Sequence, residues 1–323
     1  MSTGSYPALS GRTSLFLASA LKGNIFVTTV ISNPELMFER RQMATEIHFV
    51  NVGQGNMVLI KADDGTRFVF DCYITQDNEF RVLDYVAKVF GKRNAIGAFI
   101  CSHRDADHMR GVRKLHAQNP ILSIWDTDAP GDNTYSTEYK EYMALRREVK
   151  NFIIKRKMSQ NYGATRLLFM SDADKRVPNN VNDQGIVIKV EQRSQMGDSC
   201  LTSVMLPGDS NAQVWRDGIL KDYTTHEVRS SILMAAHHGS NSFFEIPGDR
   251  NYYTSHIEAI KPAMVIISVG ANTHGHPDKQ ALSLYETYAT GSGDGHKVAR
   301  TDQRGTMKLT LKTEGSWTLE YGR

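Results

Sequence analysis

Short apolar runs that each end in a polar loop constrain the fold of this chain more than any other feature of its sequence. Apolar runs at 95–101, 200–206, 231–236 and 263–269 lead directly into loops that contain aspartate or histidine. Runs of this length, bounded by glycine and other turn residues, are typical of buried strands. Because loops on a rigid sheet often carry chemistry, we expect these polar residues to meet at one edge of a sheet.

Helical periodicity between the strands predicts a mixed α/β fold. Apolar residues recur at helical spacing from Phe80 to Phe90, and the pattern stops at Gly91. Residues 125–181 are polar and rich in turn residues around a helix expected over 139–157. We interpret residues 125–181 as a helical, basic insertion into the domain.

Composition sets the class of protein and its compartment. The chain has 323 residues, a near-even balance of 38 Lys+Arg against 35 Asp+Glu, and three cysteines. Three cysteines cannot form a disulfide framework, so a reducing cytoplasm is expected. Since no run approaches the roughly 18–20 apolar residues of a membrane helix, no membrane association is predicted.

The strongest strand pattern begins just after Met43, and it suggests the domain boundary. We expect residues 1–43 to form an N-terminal extension that packs loosely or is disordered. Residues 44–323 are then one hydrolase domain. Protein partners and the oligomeric state are left open by the sequence.

Potential metal ligands lie in three clusters at successive strand ends. They are His103, Asp105, Asp107, His108, Asp209, His237 and His238. Imidazole nitrogen and carboxylate oxygen suit zinc or manganese, and a carboxylate on a turn can bridge two cations. Each cluster alone is an ordinary surface feature, but together they predict a two-metal site that activates water and neutralises charge on a phosphoryl oxygen.

Basic residues are concentrated in the predicted insertion. Between positions 140 and 157 there are seven basic residues against two acidic ones. This stretch is either a phosphate-contacting face or a solvated helix surface, and the sequence favours neither. The candidate substrate contacts, here and beside the metal cluster, are Arg104, Arg110, Arg146, Arg147 and Lys150.

These motifs, in this order, resemble the metallo-β-lactamase fold superfamily, and more specifically the soluble hydrolase domain of ComEC-type competence proteins. The resemblance covers about residues 46–322. The matching segments are VGQG at 52–55, FD at 70–71, SHRDADH at 102–108, ND at 182–183, LPGD at 206–209, AHHGS at 236–240, SVG at 268–270, GHP at 275–277 and RTD at 300–302. It implies a four-layer αββα sandwich and two divalent ions, with Zn²⁺ favoured and Mn²⁺ as the second choice.

The resemblance also implies roles for individual residues. One ion is assigned to His103, Asp105 and Asp209. The other is assigned to Asp107, His108, Asp209 and one residue of the pair His237 and His238. Because neighbours on an extended segment point to opposite sides, His237 is favoured as the ligand and His238 as a donor to the transition state.

Three further roles follow from the same resemblance. Asp107 holds or accepts the proton of the attacking hydroxide, and His276 is expected to donate a proton to the leaving oxygen. Asp71 is expected to orient the loop that carries His103, through a backbone amide or a ligand histidine. The chain departs from the family pattern at Gly185, where a serine is usual, which puts a ligand role for Asp183 in doubt.

The predicted function is a phosphodiesterase or nuclease that acts on DNA or RNA. One alternative is a small-molecule hydrolase, such as a phosphocholine esterase, a lactonase or a β-lactamase-like enzyme, since one fold hosts many chemistries. Another is a subunit of a multi-protein effector or defence system that uses the fold as a sensor.

Overall fold

The computed structural model describes residues 44–194, 199–291 and 297–322. The extension predicted over residues 1–43 lies outside the described residues. In the first part of the chain the elements are, in order, β1 (Ala44–Phe49), β2 (Val58–Lys61), β3 (Arg67–Phe70), β4 (Cys72–Tyr73), α1 (Glu79–Phe90), β5 (Ala98–Ile100), α2 (Ala106–Met109), α3 (Val112–Gln118), β6 (Ser123–Asp126), α4 (Thr137–Glu148) and β7 (Lys150–Ile153).

The second part of the chain begins with an antiparallel meander and continues with strands separated by helices. A π-helical turn, Val214–Ile219, leads into α5. The elements are β8 (Ser159–Tyr162), β9 (Thr165–Phe169), β10 (Ile188–Arg193), β11 (Cys200–Leu206), α5 (Leu220–Asp222), α6 (Thr225–Val228), β12 (Ile232–Met234), α7 (Ser255–Ile260), β13 (Met264–Ile267), α8 (Lys279–Tyr288), β14 (Val298–Arg300), α9 (Thr301–Arg304), β15 (Met307–Lys312) and β16 (Trp317–Tyr321).

Among the described residues, the strands form two sheets. The first sheet has the order β16-β15-β1-β2-β3-β5-β6-β7, and the second has the order β14-β13-β12-β11-β10-β9-β8. Strands β3, β5, β6 and β7 are parallel, as are β11 to β14. The remaining pairs are antiparallel, so each sheet combines a parallel half with a meander.

Successive side chains along a strand point to opposite faces of the sheet, and apolar residues on both faces are buried. In β2 and β3, Ile60 and Phe68 face the other sheet, whereas Leu59 and Val69 face the helices. The core between the sheets joins residues of both, including Phe70 of the first sheet. In the second sheet, the facing residues include Leu167, Ile188 and Val204.

Helices cover the outer face of each sheet. Val86 of α1 and Leu145 of α4 pack on the first sheet, and Ile257 of α7 and Tyr285 of α8 pack on the second. The result is four layers, helix, sheet, sheet and helix, and it confirms the predicted αββα sandwich. None of the described helices combines the length and the apolar character that crossing a bilayer requires.

The predicted insertion differs in its details from expectation. The basic helix ends at Glu148 instead of continuing to position 157, and the residues after it form β7, β8 and β9. Strand β7 extends the first sheet, and β8 and β9 extend the second. Residues 125–181 therefore belong to both sheets, because this segment is where the chain crosses from one sheet to the other.

Candidate metal centre

The clusters predicted from sequence converge on one cavity of about 500 Å³ at the carboxyl ends of the parallel strands. The loops that line it follow β5, β11, β12 and β13. Residues already identified in the sequence that line it are Asp105, Asp107, Arg110, Asp209, His237, His238 and His276.

Seven lining residues were given no role in the sequence analysis, and four of them have large polar side chains. These four are Gln54, Tyr73, Asn272 and His274. Tyr73 lies two residues after Asp71, at the end of a strand, and the rule that identified the other clusters would have included it. His274 lies in the same loop as His276, and the two rings are stacked with centroids 6.0 Å apart.

The most compact part of the cavity is a group that we call the inner half-site: Asp107, His108, Asp209 and His238. Its ligand atoms all lie within 4.8 Å of one another. His108 Nε2 lies 3.2 Å from Asp209 Oδ1, and His238 Nε2 lies 3.2 Å from Asp107 Oδ2. Both histidines are buried, so this group is a preformed cage of imidazole nitrogens and carboxylate oxygens.

Strong acceptors behind the two inner histidines fix their orientation. Asp71 Oδ2 accepts a hydrogen bond from His108 Nδ1 at 2.8 Å, and the carbonyl of Ser268 accepts one from His238 Nδ1 at 2.8 Å. These bonds hold the proton of a neutral ring on Nδ1, so each Nε2 would offer its lone pair to a cation once the ring has lost its second proton. Asp71 also accepts the backbone N–H of Ser102 at 2.7 Å, so it contacts both groups named in the sequence analysis.

The other three predicted ligands form what we call the outer half-site: His103, Asp105 and His237, arranged around the shared Asp209. His237 Nε2 lies 3.5 Å and His103 Nε2 4.0 Å from Asp209 Oδ2. The Nε2 atom of His103 lies 3.7 Å from Asp105 Oδ2. The outer half-site is therefore the more open of the two.

Serine hydroxyls contact the outer histidines. Ser102 Oγ lies 2.9 Å from His103 Nδ1, and Ser242 Oγ lies 3.2 Å from His237 Nδ1. Ser102 Oγ donates its proton to Asp71 Oδ2 at 2.8 Å, so it accepts from His103 Nδ1, whereas the Ser242 hydroxyl can either donate to or accept from His237 and specifies its tautomer less strongly.

The adjacent histidines are placed differently from what an extended segment would give. His238, not His237, completes the group with Asp107, His108 and Asp209. The expectation assumed an extended segment, but His237 and His238 have φ values of 49° and 54° in a tight turn after β12. In this left-handed conformation the neighbouring side chains do not alternate, and both Nε2 atoms face carboxylates of the cavity.

The residues present fit a pair of divalent cations. The Nε2 atoms of His103 and His108 are buried, and neither has a hydrogen-bond partner. A buried polar atom without a partner is costly, and metal coordination is what such an atom can satisfy. Mixed nitrogen and oxygen donors of this kind suit Zn²⁺ or Mn²⁺.

Electrostatics distinguish the metal-free half-sites. Burial alone would lower the pKa of His108, but Asp209, Asp107 and Asp71 outweigh it and raise that pKa well above its usual value. In contrast, burial together with the neighbouring His108 lowers the pKa of His103 to about 4. Burial raises the pKa of Asp105 to about 6. In the metal-free protein His108 is therefore protonated near neutral pH, and His103 is neutral.

The turn that carries Asp209 requires a glycine before it. Gly208 has a φ of 57°, and a Cβ at this position would lie 2.9 Å from Ser102 Cβ. Asp183 supports the same turn, because its Oδ1 accepts the backbone N–H of Asn211 and its Oδ2 accepts Asn180 Nδ2. Both carboxylate oxygens of Asp183 therefore accept hydrogen bonds within the protein, as expected for a residue that is not a metal ligand.

Two of the predicted substrate contacts are directed away from the cavity. Arg104 is buried, and its guanidinium donates to Asp126 at 2.9 Å. Arg146 donates to the same carboxylate at 2.8 Å, and Tyr142 donates at 2.6 Å. The sequence could not show this, because Asp126 lies on another strand and collects donors from the metal loop and from α4. Arg104 and Arg146 therefore tie α4 to that loop.

The remaining predicted contacts stay accessible. Arg110 lines the cavity, stacks over Tyr73 at 5.4 Å and pairs with Glu138 at 3.0 Å. Arg147 and Lys150 are exposed at the end of α4 and the start of β7. His276 lines the cavity, and burial together with His237 lowers its pKa.

The comparisons with known proteins are informative only at the level of fold. No protein-family model matches the chain, and no curated protein matches it. Similar solved structures include CmlA, a diiron β-hydroxylase from Streptomyces venezuelae, at 11% identity and a TM-score of 0.50, covering 84% of this chain and 54% of CmlA. This chain thus spans about half the length of CmlA.

Two further solved structures are covered almost completely. YhfI from Bacillus subtilis, a metallo-β-lactamase fold protein, has 12% identity and a TM-score of 0.47, covering 82% of this chain and 99% of YhfI. Tm1679, a metal-dependent hydrolase of the β-lactamase superfamily, has 13% identity and a TM-score of 0.48, covering 83% of this chain and 99% of Tm1679. The four-layer αββα sandwich described above rests on this chain's own strands and helices.

Proposed function

We propose that this chain is a metal-dependent hydrolase that cleaves phosphodiesters, with nucleic acid as its substrate class. The observation that carries the proposal is the compact inner half-site, in which two imidazoles and two carboxylates bring their ligand atoms within 4.8 Å of one another. A protein that used this fold only as a scaffold or sensor would have no need to gather these groups at one point.

The geometry supports two ligand sets. The inner half-site would hold one divalent cation, and the outer half-site would hold a second, with Asp209 shared between them. Zn²⁺ is the first choice and Mn²⁺ the second, because the donors are imidazole nitrogens and carboxylate oxygens. When bound, the two cations supply Lewis-acid stabilisation of developing charge and an activated water.

The residues of the cavity then have distinct tasks. Asp107 is partly exposed to the cavity and is held by His238, so it is placed to accept the proton of the attacking water. His276 is neutral because its pKa is lowered, and it serves as a hydrogen-bond donor to the leaving oxygen instead of as an imidazolium acid. Arg110 offers a guanidinium to a non-bridging phosphate oxygen at the rim.

Nucleic acid is supported by the sequence and by the basic surface near α4. The ComEC-type resemblance links the motif set to DNA processing, and Arg147 and Lys150 are exposed. The cytoplasmic location expected from the cysteine content likewise remains a proposal, and it agrees with three free thiols at Cys72, Cys101 and Cys200.

A second candidate is a hydrolase of small phosphodiesters or other small esters, and one observation favours it. Arg104 and Arg146, two of the five predicted phosphate contacts, are engaged in ion pairs with Asp126. The remaining cavity, about 500 Å³, has the size of a small-molecule pocket.

The test is an activity screen of protein loaded with Zn²⁺ or Mn²⁺. The substrates are single-stranded DNA, double-stranded DNA, RNA and bis-p-nitrophenyl phosphate, with a lactone and a β-lactam as alternatives. We expect phosphodiester hydrolysis that Asp107→Asn reduces by roughly 1000-fold and the exposed control Asp84→Asn leaves unchanged. A metal-loaded wild type that cleaves no phosphodiester would refute the proposal, and cleavage of bis-p-nitrophenyl phosphate without any nucleic acid would select the second candidate.

A further inference from the structure

A second cavity, of about 390 Å³, lies at the amino ends of the parallel strands of the second sheet, whereas the metal centre lies at their carboxyl ends. We call it the distal cavity and define it by the basic residues Lys189, Arg229 and Lys261 and the hydroxyl residues Thr202, Ser203 and Ser230.

The distal cavity and the metal centre lie at opposite ends of the same parallel strands. Asp209 follows the carboxyl end of β11, whereas Thr202 lies near its start. Ser230 comes just before β12, and Lys261 comes just before β13. At a rise of about 3.3 Å per residue, the length of β11 separates the two sites by roughly 20 Å.

The charge of the distal cavity is positive. None of the described residues that line it is Asp or Glu. Arg229 and Lys261 are exposed at its rim, and neither side chain forms an ion pair within the described part of the chain. Arg229 and Lys261 face the same cavity, and neither has an acidic partner among the described residues, so two cations there are available to an anion.

A buried lysine provides the floor of the cavity. Lys189 is only 2% exposed, and its Nζ donates to Glu191 Oε1 at 3.1 Å and to the carbonyl of Glu227 at 2.8 Å. An ammonium group has three N–H donors, so one donor of Lys189 remains for a ligand.

Hydroxyl groups at the starts of two neighbouring strands complete the lining. Ser203 Oγ and Ser230 Oγ are 3.1 Å apart, and Thr202 Oγ1 donates to Ser231 Oγ at 3.0 Å. Because Thr202 and Ser230 already donate their hydroxyl protons, Ser230 to the carbonyl of Ile232, the hydroxyls of Ser203 and Ser231 are the ones that can rotate to donate to an oxyanion. Together with ammonium and guanidinium groups they match the several acceptor oxygens of a phosphate.

We propose that the distal cavity binds a small molecule that carries a phosphate group, at a site separate from the metal centre. The basic residues surround one cavity of small-ligand size instead of forming a stripe along the surface, which favours a small ligand over a nucleic-acid strand. The proposal does not rest on the hydrolase function, since binding is measured on chelator-treated protein without metal.

The experiment is isothermal titration of the full chain with inorganic phosphate, a nucleoside monophosphate and a sugar phosphate at low ionic strength. We expect saturable binding by the wild type, weakened roughly tenfold or more in Arg229→Gln/Lys261→Gln. The matched control Lys88→Gln/Lys92→Gln removes two basic residues from the surface near α1 and should leave the dissociation constant unchanged.

A second variant tests the floor of the cavity without endangering the fold. Lys189→Ala would leave Glu191 buried without its partner, so Ser203→Ala is used instead, and it should weaken binding severalfold at an unchanged melting temperature. Tighter binding of an organic phosphate than of inorganic phosphate supports the proposal and identifies the ligand as a phosphorylated metabolite. Equal binding supports it for free phosphate.

Three outcomes would overturn the proposal. The first is the absence of saturable binding of any of the three ligands at millimolar concentration. The second is an identical dissociation constant for the wild type and the Arg229/Lys261 double variant. The third is binding of a DNA oligonucleotide that depends on Arg229 and Lys261 while the small phosphates do not bind.

Discussion

The inner and outer half-sites share Asp209, yet they differ in burial and in the groups behind their histidines. In the inner half-site, the side chains of His108 and His238 are 0% and 4% exposed, and a carboxylate and a carbonyl hold them. In the outer half-site, the side chains of His103 and His237 are 2% and 28% exposed, so the difference in histidine burial lies at His237. Serine hydroxyls contact both outer histidines, although Ser102 Oγ also lies 3.2 Å from His108 Nδ1. The comparison teaches that two ligand sets of similar chemistry can be unequally preorganised, and that the inner set should bind first.

Substitution of each adjacent histidine tests most directly whether the inner half-site matters more than the outer one. We expect His238→Ala to lower kcat/KM for bis-p-nitrophenyl phosphate by roughly 1000-fold and His237→Ala by roughly tenfold, because only His238 belongs to the inner cage. Metal content by mass spectrometry of the native protein should fall more in His238→Ala. Equal losses in the two variants, or a larger loss in His237→Ala, would show that the halves are not unequal.

Removing the hydrogen-bond partner behind a histidine should weaken metal binding more in the inner half-site than in the outer one, although less than removing the histidine itself. Asp71→Asn keeps the shape of the side chain but weakens the acceptor for His108, and we expect the affinity for the first metal ion to fall 10–100-fold. Ser242→Ala removes the hydroxyl beside His237 and should weaken the second ion by less than about tenfold. Competition titration with a chromophoric chelator measures both affinities. An Asp71→Asn protein that binds its first ion as tightly as the wild type would contradict the argument.

The number of protons that the protein releases on binding each metal ion distinguishes the two half-sites without any mutation. The pKa of His108 is raised well above 6.5 by its acidic neighbours, so its proton must leave before the ring can bind a metal, whereas His103, with a pKa of about 4, is already neutral. The pKa of His238, the other inner histidine, is raised as well, so at pH 7.5 we expect the first ion to release more protons than the second. Calorimetry in buffers of different ionisation enthalpy measures this release. The two ions releasing equal numbers of protons would mean that the half-sites titrate alike.

The positions of the clusters along the chain were predictable from the sequence, but their side-chain directions were not. Asp209 and the loop of His108 follow apolar runs, and strand ends at one edge of a sheet bring such loops together. The placement of His238, and not His237, in the inner half-site depends on a left-handed turn that the local sequence pattern does not predict. The burial of Arg104 was hidden for a different reason, because Asp126 receives it from another strand.

The same limit applies to the predicted insertion. Charge density favoured a continuous helix from Tyr139 to Lys157, and the helix does begin near there, at Thr137. After Glu148 the chain forms strands at the edges of both sheets, since backbone pairing with β6 and β9 outweighs local helix propensity. The spacing of apolar and charged residues within a short segment does not indicate which other strand that segment will pair with.

Backbone strain at the metal centre has a consequence for protein engineering. Asp71, His237 and His238 have φ values of 59°, 49° and 54°, and each left-handed residue other than glycine costs about 1–2 kcal/mol. Glycine at position 237 would relieve part of that cost and remove an imidazole from the cavity at the same time. A design procedure that optimised this chain for thermostability alone would therefore tend to erase its chemistry, because the residues best suited to the backbone are not those that can bind a cation.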